Sequence, residues 1–221
     1  MELEGTNRRL PIYLVIDVSG SMSGGPIDAV NTGLREFEGA LKADPHALET
    51  AYISVITFSD EAKQVSPLTE AGQFTAPRLS TATSTNLGAA IRLLGQSIDR
   101  DVQEKSDNHP GDWKPLIFLM TDGQPTDSTW SQDAATFSNR QKSRPANVVA
   151  IGCGGNIDQA VLKTITPMVL LMPDMSPEKF RSLFAWMSQS AKVASRSASQ
   201  QAAAGQNAQL PPPPQGFNIA L

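Results

Sequence analysis

Leu10-Pro11-Ile12-Tyr13-Leu14-Val15-Ile16-Asp17-Val18-Ser19-Gly20-Ser21 runs an apolar stretch directly into a turn carrying one carboxylate and two hydroxyls. The apolar part reads as a buried strand, and the turn at its end gathers alternate positions 17, 19 and 21 towards one point. Hard divalent cations are held by oxygen ligands, and Mg²⁺ in particular keeps several waters and takes only one or two protein carboxylates. Gly20 allows the close backbone approach such a loop needs. The alternative is an Asp/Ser turn that serves only local hydrogen bonding.

Outward from this turn, short β-rich runs alternate with segments of helical period, the pattern of βαβ units and a mostly parallel sheet. Strands are expected at Leu10 to Val18, Tyr52 to Phe58, Pro115 to Thr121, Asn147 to Ile151 and Val169 to Met172. Ala62 to Val65 is expected to turn back as a short antiparallel edge strand beside Tyr52 to Phe58. Ile27, Val30, Leu34, Phe37 and Leu41 form an apolar stripe behind Pro26, and Leu87, Ile91, Leu94, Ile98 and Val102 form another. Ser176-Pro177 opens a last helix whose Phe180, Leu183, Phe184 and Met187 belong to the core. The expected fold is α/β: a doubly wound, mostly parallel sheet with helices on both faces and one antiparallel edge strand. Its crevice lies outside the carboxyl ends of the strands, where strand order reverses.

Two further segments fall where that crevice would be. Thr85-Asn86-Leu87-Gly88 precedes a helix, and Leu116 to Met120 runs into Thr121-Asp122-Gly123. Asp17-x-Ser19-x-Ser21, the isolated Thr85 and Asp122 in Thr-Asp-Gly resemble the metal-ion-dependent adhesion site of von Willebrand factor A domains, with all five positions filled in order. The resemblance covers about residues 8–190. Arg9 to Asp17 and Met22-Ser23-Gly24-Gly25-Pro26-Ile27 are similar to the TerY-like branch of that superfamily, which belongs to bacterial tellurite-resistance and stress systems.

The resemblance implies a Rossmann-like fold with a central first strand. It implies that Ser19, Ser21 and Thr85 give hydroxyls and Asp17 and Asp122 carboxylates to Mg²⁺, with Mn²⁺ or Ca²⁺ as alternatives, and that a partner's Asp or Glu completes the shell. It further implies a cytoplasmic protein-interaction module whose partners include a PP2C-type phosphatase and a protein kinase.

Length and composition agree with one such module. A chain of 221 residues can bury a core without staples, and we divide it into a domain over 1–190 and a Ser/Ala/Gln-rich and Pro-rich tail over 191–221. A net charge of −4 without a Lys/Arg cluster argues against nucleic acid. No segment reads as a signal peptide or a membrane span, so membrane insertion is not expected and a cytoplasmic location is. The single Cys153 reads as a small buried hydrophobe at a strand exit. The four prolines Pro211 to Pro214 favour polyproline II, as a spacer or a ligand, and Phe217, Ile219 and Leu221 are apolar enough to fold back on the domain or dock elsewhere.

Catalytic readings fit less well. A nucleophile elbow, a P-loop and a dinucleotide fingerprint are all missing. The catalytic rival is a Mg²⁺-dependent phosphatase using Asp17 as nucleophile, but that chemistry expects a second carboxylate two residues on, where Ser19 stands. A third reading is a purely structural ion. Asp127 reads as a cap for a helix beginning near Trp130, and His46 and His109 as residues of separate polar loops.

Overall fold

Leu10 to Asp17 form β1, and every residue of it is buried. A strand covered on both faces has no need of polar alternation, which is why this one reads as a continuous apolar run. Pro11 lacks a donor; it pairs with Tyr52 on one side, and on the other it lies before the pairing with Leu116 begins at Ile12. The computed structural model describes residues 8–107, 109–155, 157–200 and 210–220. Leu221 and the Gln-containing stretch 201–209 lie outside the described residues.

The strands that follow are β2 (Ala51–Phe58), β3 (Ala62–Glu70), β4 (Leu116–Thr121), β5 (Asn147–Cys153), β6 (Val169–Met172) and β7 (Asn218–Ile219). They form one sheet in the order β3-β2-β1-β4-β5-β6-β7. The five inner strands are parallel and β3 is antiparallel to β2, the edge arrangement expected from the sequence. The two-residue β7 adds a second antiparallel edge on β6. Strand order reverses between β2-β1 and β1-β4, so the crevice of the doubly wound fold opens above the end of β1.

The helices are α1 (Gly25–Lys42), α2 (Pro45–Thr50), α3 (Leu87–Asp101), α4 (Trp130–Arg140), α5 (Gln159–Ile165) and α6 (Pro177–Gln200). On one face α1, α2 and α6 pack with Ile12, Leu14 and Ile16 of β1, and on the other α3, α4 and α5 pack with Tyr13 and Val15. The period-2 alternation of β1 thus feeds two separate cores. Each large apolar side chain sealed in this way contributes about 1.5–3 kcal/mol.

His46 lies in α2 and not in a loop: Asp44 accepts from Ala47 N and Pro45 opens the helix. His109 is in a turn bridged to Ser106, and its Nδ1 accepts from Gly111 N at 2.9 Å. After α6 the chain returns to the domain. Trp186 Nε1 donates to the Pro211 carbonyl at 3.0 Å, Phe217 is buried and Lys179 lies over its ring. Among the described residues, no helix is long and apolar enough to cross a membrane.

Close packing of α1 on α6 depends on Gly33, where an added Cβ would lie 2.1 Å from Phe184 Cδ2. Gly33→Ala is expected to destabilise the fold by about 1–3 kcal/mol through overpacking. Gly39→Ala, in the same helix with nothing near its Cβ, is expected to stabilise by about 0.5–1 kcal/mol. Urea unfolding followed by circular dichroism measures both.

Candidate metal centre

β1 and β4 are neighbours in register, with Ile16 opposite Met120, so the residues that follow reach the same end of the sheet together. Asp17 is 0% exposed and Asp122 is 9% exposed. Asp17 Oδ1 accepts from Ser19 N at 2.8 Å, which curls the turn, and Oδ2 accepts from Thr121 Oγ1 at 2.6 Å, which ties β1 to β4. A single turn of 3-10 helix over Gly20–Met22 then brings Ser21 over the site.

The hydroxyls converge on the second carboxylate. Ser21 Oγ donates to Asp122 Oδ1 at 2.8 Å, Ser19 Oγ lies 3.4 Å from the same oxygen, and the two serine oxygens are 3.1 Å apart. Thr85 enters from the loop before α3. Its N–H is held by Thr126 Oγ1 at 3.1 Å and its carbonyl by Thr126 N at 2.9 Å. A Cβ on Gly123 would lie 3.3 Å from Thr85 Oγ1, so the glycine lets the Asp122 turn approach this hydroxyl. Thr85 Oγ1 itself makes no hydrogen bond among the described residues. All five residues singled out in the sequence therefore meet at one end of the sheet.

Electrostatics at this end are unfavourable for two anions. Burial pushes the Asp17 carboxyl up, bonds from Thr121 and Ser19 pull it back, and the Asp122 charge raises it further. Burial likewise pushes Asp122 up against the bonds from Ser21 and Ser19. No Lys or Arg bonds to either carboxylate among the described residues. Two buried anions without a cation are costly unless something neutralises them. The donor set, two carboxylates and three hydroxyls, is all oxygen and fits a hard divalent cation. Among the described residues no three His, Cys, Asp or Glu side chains gather to hold a metal, so an ion here relies on the hydroxyls.

Residues 12–176 match the model of the von Willebrand factor type A domain. The chain belongs to this family. No curated protein sequence matches it. Among solved structures, the ArnB paralog VWA2 from Sulfolobus acidocaldarius is 21% identical, with a TM-score of 0.57 over 83% of this chain and 45% of that one. A von Willebrand factor type A protein from Catenulispora acidiphila is 17% identical, with a TM-score of 0.63 over 84% of this chain and 43% of that one. Proximal thread matrix protein 1 from the mussel byssus, solved with a zinc-occupied adhesion motif, is 19% identical, with a TM-score of 0.58 over 85% of this chain and 46% of that one. At these identities the likeness is one of fold, and this von Willebrand factor A chain spans a little under half the length of each of the three.

Several supporting residues were not legible in the sequence. Thr121 and Thr126 position Asp17 and Thr85 through hydroxyl bonds that no spacing announces. Asp127 does not cap α4. It accepts from Gly88 N at 3.3 Å, at the start of α3, and from Thr129 Oγ1 at 3.2 Å, while Thr129 occupies the N-cap of α4. Gly88 makes this possible, since a Cβ there would lie 2.4 Å from Asp127 Oδ2. Cys153 is buried at the end of β5, and burial, with the charges of Asp122 and Asp17, pushes its thiol up and keeps it inert.

The geometry makes Asp17 an anion the metal-free fold would be better without. Asp17→Asn keeps an acceptor for Ser19 N and removes the repulsion with Asp122. In EDTA this variant is expected to be more stable than wild type by about 1 kcal/mol. Chemical denaturation at neutral pH tests it, and a loss of stability would contradict the account.

Proposed function

We propose that the chain is a metal-dependent protein-interaction module. Asp17, Ser19, Ser21, Thr85 and Asp122 would hold a divalent cation, and an Asp or Glu of a partner protein would complete its shell. The observation that carries this reading is the convergence of two buried, cation-free carboxylates with three hydroxyls at the strand ends. Neutral hydroxyls leave the ion's charge incompletely neutralised, so an incoming carboxylate gains a strong, directional bond. Metal and partner then bind as linked events. The zinc seen in the mussel protein supports a divalent ion, with Mg²⁺ as our first choice and Mn²⁺ and Ca²⁺ as alternatives.

The module has no chemistry of its own in this reading. Both Asp17 oxygens are already engaged, and Ser19 stands where a phosphatase of the aspartate type would carry its second carboxylate. The TerY-like segments, Arg9 to Asp17 and Met22 to Ile27, support a place in a cytoplasmic tellurite or stress-response system, with a PP2C-type phosphatase and a protein kinase among the partners. The interaction module corresponds to residues 1–190 and the tail to 191–221.

Mg²⁺ at a hundredfold its Kd is expected to add about 2.7 kcal/mol to the stability of wild type. Asp17→Asn and Asp122→Asn should abolish that gain, and Thr85→Ala should reduce it, when Tm is followed against metal concentration. Partner proteins captured in Mg²⁺ should be released by EDTA and absent with Asp17→Asn. Capture that ignores both metal and variant would overturn the proposal, as would Mg²⁺-dependent turnover of a phosphate ester lost in the same variant.

A further inference from the structure

A cleft of about 520 Å³ runs alongside the metal centre. Val18, the residue between Asp17 and Ser19, forms part of its wall, and the far side is the irregular segment 71–86 that joins β3 to α3. Irregular loops longer than about 12–15 residues are uncommon in compact domains and are usually functional. This one is fixed in place. Asn31, buried within α1, gives its Nδ2 to the Leu79 carbonyl at 3.0 Å and accepts Leu79 N at 2.7 Å. Glu38 accepts Ala76 N at 2.9 Å, and Ala82 N donates to the Val18 carbonyl at 2.8 Å. The backbone on both sides of Arg78 is thereby anchored to the domain, and Ala82 ties the loop to the metal turn itself.

Charges in the cleft are committed with one exception. Asp60 is held by the Thr83 hydroxyl at 2.8 Å and by Ser84 N at 3.0 Å, and Glu61 pairs with Lys63 at 3.3 Å. Arg78 is exposed and makes no hydrogen bond or ion pair among the described residues. Beside it Val18 and Leu79 form an apolar floor, and Val65, 43% exposed, extends that floor outward along β3.

We propose that this cleft is a second recognition site for the same partner segment, in which Arg78 binds a second carboxylate and Val18, Leu79 and Val65 receive an apolar side chain. The inference rests on the metal-dependent reading above, since the partner's first carboxylate goes to the ion. The ligand class is an extended acidic peptide with two carboxylates and an apolar residue. A guanidinium can take a carboxylate through two parallel bonds. A phosphate fits less well, because it calls for a cluster of uncommitted cations, whereas here Lys63 is paired with Glu61 and Asp60 shares the lining with Arg78.

The test uses the full chain in Mg²⁺ to select from a random peptide library displayed on phage. Selected peptides are then synthesised and titrated by fluorescence polarisation against wild type and Arg78→Ala. Two acidic positions are expected in the selected sequences. Changing the second to its amide should weaken binding to wild type about tenfold, the worth of one charge-assisted contact, and should leave binding to Arg78→Ala unchanged. Peptides needing only one acid, or a second acid whose loss costs the same in both proteins, would overturn the cleft assignment and leave the metal site standing. Peptides that bind equally in EDTA, or no enrichment at all, would overturn the metal-dependent reading and the cleft with it.

Discussion

Two carboxylates held together out of water, Asp17 and Asp122, set the terms for this end of the molecule. Adjacent parallel strands end level with one another, so side chains just beyond β1 and β4 share one small space. The loops then gather around that space and leave Ser21 exposed at its rim. Gly123 lets Thr85 approach, Gly88 lets Asp127 reach the start of α3, and Asn31 pins the long β3–α3 segment. A fold seeking stability alone would place an arginine here or move one acid to the surface. Two largely buried anions without a basic partner are the feature from which the proposed metal site is argued.

The choice of hydroxyls for the remaining donors follows the same logic. A cage of four or five carboxylates would neutralise a divalent ion outright and leave nothing for a partner. In the proposed role, serines at 19 and 21 and a threonine at 85 would supply oxygen without charge, and a bound ion would keep its pull on an external acid. The hydrogen bonds of the two serines to Asp122 hold this end of the sheet together. Cys153 beneath the site is buried and uncharged, which limits the surroundings to oxygen chemistry.

Much of the fold was legible because long elements carry long signals. β1 is apolar from Leu10 to Ile16 since both its faces are covered, and α1, α3 and α6 show stripes that continue for several turns. Short elements left no comparable trace. α2 and α5 span 6 and 7 residues, too few for a helical period to stand out, and β7 has 2 residues placed by a contact with β6. At the site, positions 17, 19 and 21 could be read from the turn that ends a clear strand, and 85 and 122 joined them through the resemblance to the adhesion site of von Willebrand factor A domains. Thr121, Thr126 and the true place of Asp127 could not, because their bonds join segments brought together only by the tertiary fold. The reach of Arg78 into the cleft is of the same kind, since it depends on a loop anchored by a helix 48 residues away in sequence.

The most direct measurement is anomalous diffraction from crystals of the full chain grown with Mn²⁺, recorded at the manganese edge. A single peak between Ser19, Ser21, Thr85 and Asp122, at about 2.0–2.3 Å from its hydroxyl and carboxylate oxygens, is the predicted result. A fully occupied Mn²⁺ at another place with this cluster empty, or no peak at saturating metal, would contradict the account.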